Sequence, residues 1–163
     1  MASRGVHFAI TSEQAAAFLT ADGDDAVMAL LQDIEKAWDK DNLAESDRAW
    51  DAMHRCLTNG TLEYGGGEYP LSHGILGPRQ LLEEEGYIIC LVQADEVPDV
   101  ANAMRAISAE AFRQRYFELV PKDYAPEYGP QDEEYTWKNF QNVRGLFEKA
   151  AVSRRAVVFA VDQ

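Results

Sequence analysis

The chain alternates between short apolar runs and longer stretches of helical periodicity. Residues 5–10 place Val6, Phe8 and Ile10 on one face and His7 on the other, which predicts a strand. Thr11 followed by Gln14 has the form of a capping box and predicts a short helix to about Thr20, stopped by Asp22-Gly23-Asp24-Asp25. From Asp25 to Trp38 the apolar residues Val27, Leu30, Leu31, Ile34 and Trp38 recur at helical spacing. A polar link, Asp39 to Asn42, leads into a third predicted helix from about Leu43 to Leu57, closed by Asn59-Gly60.

Residues 60–80 show neither period. Gly65-Gly66-Gly67 and Tyr69-Pro70 predict a long loop, and a loop of that length in a small domain is more often functional than idle. The Tyr69–Pro70 bond is expected to be trans. Tyr87 to Val92 predicts a strand covered on both faces. A helix over Asp95 to Ile107 carries Pro98 in its first turn, and Ser108 caps the next helix, which runs to about Leu119. After Pro121, Pro126 and Pro130 comes the longest helix, about Gln131 to Val152, with Phe140, Val143, Phe147 and Ala150 as its core stripe. Ala156 to Val161 is a last covered strand. The expectation is one α+β domain, a small central sheet of three to four strands wrapped by about six helices.

Composition excludes several classes. With 163 residues, 47% of them hydrophobic, the chain can bury a substantial core, so disorder is rejected. No apolar run approaches the length of a membrane span, and the N-terminus lacks the pattern of a signal peptide, so a cytoplasmic protein is expected. Cys56 and Cys90 fall in a helical pattern and an apolar run, so they read as core thiols, without a disulfide and without zinc-ligand spacing. The net charge of −13 disfavours nucleic acid and anionic membranes. Its simplest consequence is solubility; it also suits a basic protein partner, held by the acidic stretch from Asp22 to Asp51.

Candidate chemistry centres on the third helix. Asp47, Asp51 and His54 border its apolar stripe, close enough to touch, and a carboxylate beside a half-buried imidazole favours the charged ring. Asp51 and Arg55 also read as a surface ion pair. The loop adds Tyr69, Ser72 and His73. Asp51, His54, Ser72 and His73 are therefore the candidate catalytic residues, as a two-histidine, one-carboxylate metal site or as a serine activated by histidine. Neither arrangement has a recognised motif: no G-x-S-x-G surrounds Ser72 and no H-E-x-x-H is present. Trp50, Tyr69, Arg79 and Trp137 are candidates to contact a ligand. No metal and no cofactor is expected. His7 reads as a structural histidine, Gly65 to Gly67 is not a phosphate loop, and the acids of residues 83–85 and 132–134 read as solvated, the latter also suiting a helix start. The first functional reading is a non-enzymatic binding or interaction protein, using the acidic surface or the loop. The alternative is a small enzyme or small-molecule-binding domain with its pocket between His54 and residues 61–79.

Several stretches together are similar to the YfbM-like family of uncharacterised bacterial proteins. They are Asp47-Arg48-Ala49-Trp50-Asp51-Ala52-Met53-His54-Arg55-Cys56-Leu57, Tyr69-Pro70-Leu71-Ser72-His73 with Ile75-Leu76-Gly77, and Tyr135-Thr136-Trp137. Gly5-Val6-His7-Phe8 and the closing Val158-Phe159-Ala160-Val161-Asp162-Gln163 fit as well. The resemblance implies a single α+β domain and carries over no activity, cofactor or catalytic residue.

Overall fold

A computed structural model describes residues 3–83 and 86–162. Glu84 and Glu85 of the acidic run, and Gln163 of the closing motif, lie outside the described residues. Five strands form one antiparallel sheet in the order β2-β1-β5-β4-β3. They are β1 (Gly5–Ile10), β2 (Leu43–Asp47), β3 (Arg79–Gln80), β4 (Tyr87–Val92) and β5 (Ala156–Asp162). Six helices flank it: α1 (Ser12–Thr20), α2 (Asp24–Ala37), α3 (Trp50–Leu57), α4 (Val97–Arg105), α5 (Ala109–Leu119) and α6 (Pro130–Ser153).

The two-residue period of a strand sorts the core into two layers. Phe8 and Ile10 of β1, Ile89 and Leu91 of β4, and Val158 and Ala160 of β5 pack against Phe18, Val27, Leu31 and Ile34 of α1 and α2. The alternate residues, among them Cys90, Val157, Phe159 and Val161, face α3 to α6. Both faces are covered, which is why β4 and β5 read as unbroken apolar runs. His7 lies on this second face. It is fully buried under Phe147 and beside its cross-strand partner Phe159, so it does not point outward as its polar character suggested.

The helix ends follow local chemistry. Thr11 accepts from the Gln14 N–H while the Gln14 side chain returns to Thr11, the expected capping box. Ser108 caps α5 through the Ala111 N–H. Trp38 closes α2 in a left-handed conformation, φ 39°, and its N–H bonds to Ile34. Phe140, Val143, Phe147 and Ala150 of α6 are wholly buried.

Three expectations are corrected. The sheet has five strands where three to four were expected. The extra two are the two-residue β3 and β2, and β2 occupies what read as the first third of the third helix. Leu43 to Asp47 pair with β1, and Asp47 turns the chain left-handed at φ 48° before α3 begins at Trp50. The Tyr69–Pro70 bond is cis.

The segment over residues 61–78 is a folded-down strap. Its Ile75 and Leu76 are core residues. A tight turn closes it at Gly77, where a Cβ would stand 2.0 Å from the Ser72 carbonyl oxygen, so only glycine fits.

Candidate functional site

The helix and strap that supply the expected site residues do come together, but their polar groups are spent on each other. His54, on the inner face of α3, is fully buried. Its Nε2 lies 2.8 Å from the Glu63 carbonyl oxygen, and its Nδ1 accepts the Leu76 N–H at 3.4 Å. Burial lowers the pKa of this imidazole; the nearby Asp51 charge acts in the opposite sense and is the weaker influence. The expected half-exposed, charge-assisted histidine is therefore a sealed, neutral one. Asp51 turns away to Arg55, with Oδ1 2.7 Å from its Nε. Asp47, on β2, accepts from the Tyr135 hydroxyl and pairs with Arg4 at 3.3 Å.

In the strap, Ser72 Oγ lies 3.2 Å from His73 Nδ1, and His73 Nε2 lies 3.5 Å from Glu96 Oε2. Tyr69, half exposed, donates to Asp99 Oδ2 at 2.6 Å and sets its ring edge-on to His73. Ser72 is only 7% exposed. The backbone N–H groups of Ser72, His73, Gly74 and Gly77 all bond to nearby carbonyls, so none is left to stabilise an oxyanion. Among the described residues, no group of three His, Cys, Asp or Glu side chains is placed to hold a metal ion. Trp50 is a core residue, 6% exposed, whose indole N–H donates to the Ser3 carbonyl. Trp137 packs on Phe112 and Phe140 with Arg144 over its face.

Arg79 lies elsewhere, on β3, in an open cleft of about 650 Å³ between the α1–α2 turn and the sheet edge. Asp22, Asp24 and Asp25 line the same cleft. The acidic stretch of residues 22–51 is thus divided: its beginning belongs to the α1–α2 layer, and its end, at Asp47 and Asp51, to the opposite layer.

A second cleft, of about 420 Å³, opens where the start of α3 meets the start of α6. Arg48, Asp51, Tyr124, Glu127, Asp132 and Tyr135 line it. Asp132 holds its inner wall, since its Oδ2 accepts from the Tyr116 hydroxyl at 2.6 Å and from the Tyr124 hydroxyl. The Tyr116 oxygen in turn accepts the Gly129 N–H, and its ring stacks on Tyr128 at 5.3 Å. Arg55 lies over the Tyr124 ring at 5.7 Å. On the far side, Tyr135 donates to Asp47 and accepts the Arg48 N–H at 3.3 Å. Burial, then the carboxylate partner, pushes the Tyr116, Tyr124 and Tyr135 phenols up, so all three stay protonated donors. Three carboxylates and one guanidinium line the space.

Asp132 and Glu133 correct the expectation of a solvated acidic run. Asp132 organises the cleft, and Glu133 is 4% exposed, with burial raising its carboxyl and Arg113 4.0 Å away. Sequence reasoning missed Tyr124, Glu127 and Asp132 as site residues. The available signal was a tyrosine-bearing, proline-punctuated connection leading into the longest helix.

The model of a domain of unknown function, DUF1877, matches residues 1–160. The crystal structure of YfbM from Escherichia coli, a protein of unknown function, is similar with a TM-score of 0.63 at 16% identity. The match covers 97% of this chain and 99% of that one. At that identity the likeness shows the fold alone. No curated protein matches the chain.

Proposed function

The chain belongs to the DUF1877 family, and from that premise we propose a non-catalytic binding protein whose α3–α6 cleft receives a lysine or arginine side chain of a basic protein partner. The carrying observation is the cleft itself: tyrosine walls fixed by hydrogen bonds, with Asp51, Glu127 and Asp132 outnumbering Arg48 and the adjoining Arg55, which is paired with Asp51. Aromatic faces and carboxylates are the two surfaces a desolvated cation prefers. The walls are already ordered, so binding need not fix them, and that lowers its entropic cost. The three phenols stay protonated and no histidine is among the residues that line the cleft, which supports binding over catalysis. The overall charge of −13 adds attraction at long range. We place the protein in the cytoplasm, where the free, buried Cys56 and Cys90 would remain reduced.

Calorimetric titration with a lysine- and arginine-rich peptide tests this reading. Binding should weaken steeply with salt, and Glu127→Lys, on an exposed side chain, should weaken it by about tenfold. Equal affinity in wild type and Glu127→Lys removes the cleft from the argument.

A second reading is favoured by the Ser72–His73–Glu96 chain of contacts, which has the order of a nucleophile, a base and an orienting acid. Labelling of Ser72 by a fluorophosphonate probe would support it. Absence of labelling on folded protein would dispose of it.

A further inference from the structure

The sequence contains three histidines. They stand on different elements, yet each one fastens the strap of residues 61–78. His7, on β1, bonds through Nε2 to the Gly74 carbonyl oxygen at 2.8 Å. His54, on α3, bonds the Glu63 carbonyl and receives the Leu76 N–H. His73, inside the strap, joins it to Glu96 at the head of α4.

A carbonyl oxygen can only accept, so each Nε2 carries a proton, and a charged ring would keep that bond. What opposes the charge in both rings is the other nitrogen, Nδ1. In His7 that Nδ1 is fully buried without any partner, between the rings of Phe147 and Phe159. A second proton there would find no acceptor. In His54 the Nδ1 already faces a donor, the Leu76 N–H, so a second proton would meet another proton. His73 differs: its ion pair with Glu96 strengthens when the ring is charged.

We propose that residues 61–78 form a proton-released flap. Uptake of protons by His7 and His54 lifts it from the sheet and bares Ile75 and Leu76, while the His73–Glu96 pair keeps its middle tethered to α4. The charges around these rings do not cancel the effect. Among the described residues, burial opposes the charged His7 and the Gly74 carbonyl favours it more weakly, with no charged side chain contributing. At His54, Asp51 favours the charged ring and Arg55 opposes it, both from α3. Near His73 stand Glu96, Ser72 and the Tyr69 ring that is held by Asp99.

The size of the effect follows from linkage. Burial depresses His7 from 6.5 to about 4. At about pH 5, opening that frees this ring should therefore be favoured about twenty-fold over neutral pH, from His7 alone.

Hydrogen exchange on the full chain, corrected for intrinsic exchange, tests the flap at neutral pH and at about pH 5. The Leu76 and Gly77 amides should lose protection by about twenty-fold or more while those of β4 and β5 hold. His7→Gln, which cannot titrate, should lose most of that dependence. Should the variant fail to fold, an NMR titration of the wild-type imidazoles replaces it, with His7 expected to stay neutral well below 6.5. Flap protection that ignores pH, or that falls in step with β4 and β5, overturns the proposal. So does an unchanged dependence in His7→Gln, or a His7 that titrates at its ordinary value.

Discussion

The His54 pocket and the Asp132 cleft lie within one small layer of the protein and use similar ingredients to opposite ends. Each places a titratable group among aromatic or apolar residues. His54 is closed over by the strap and its two nitrogens are consumed by backbone groups. Asp132 stands half-buried on the inner wall of an open cleft, and its partners are side chains, the buried Tyr116 and the half-buried Tyr124. The difference lies in who answers the polar group. A backbone partner from another segment seals a site, whereas side-chain partners fix a wall and leave the space in front of it.

The largest way to break that contrast is to unseat α3. Trp50→Ala should cost about 3–5 kcal/mol in chemical denaturation, as loss of a buried indole does. A stable variant would mean that the sealed side is not held from the core. Next in size is pH. His7 binds a proton less readily when folded, so its contribution is complete above 6.5, declines as the pH falls, and is gone below about 4. That loss amounts to about 3 kcal/mol at 1.36 kcal/mol per unit, and His54 acts in the same direction. The cleft has the opposite sign. Tyr116 and Tyr124 are raised from 10.0, so their contribution is whole below that value and declines as pH climbs above it. Denaturation midpoints measured across pH should fall on both sides, and an acid limb lacking this loss would contradict the sealed reading of His7.

Smaller changes sharpen the picture. Tyr124→Phe removes one of two donors to Asp132 and should cost about 1 kcal/mol in thermal or chemical unfolding. Glu127→Lys, at an exposed position, should alter stability by less than about 0.5 kcal/mol while changing peptide affinity. If its stability loss exceeded that of Tyr124→Phe, Glu127 would be part of the scaffold.

Much of the architecture was legible because its elements carry their own signals. The runs at β4 and β5, the Thr11 and Ser108 caps and the α6 stripe all stand where local chemistry puts them. β2 was hidden because Leu43-Ala44-Glu45-Ser46-Asp47 has one large apolar residue, and that residue falls in helical phase with Trp50, Met53 and Leu57. Only the left-handed turn at Asp47 separates strand from helix, and aspartate tolerates that conformation without advertising it. The Asp51–His54 spacing was readable, but the burial of His54 depends on Glu63 and Leu76, 9 and 22 residues away. The cleft was less readable still, since Asp51, Tyr116, Tyr124 and Asp132 reach it from different elements. In each case the missing information is long-range contact, which periodicity does not contain.

The position of β5 has a consequence for how the protein comes into being. It follows every other element in the chain, yet it lies in the middle of the sheet, bonded to β1 on one side and β4 on the other. While a ribosome is still adding residues before Ala156, the β1–β2 and β3–β4 pairs lack the strand that lies between them, and their inner edges wait for a neighbour. A half-made copy therefore has its sheet split in two, and only the last residues to be added close the gap.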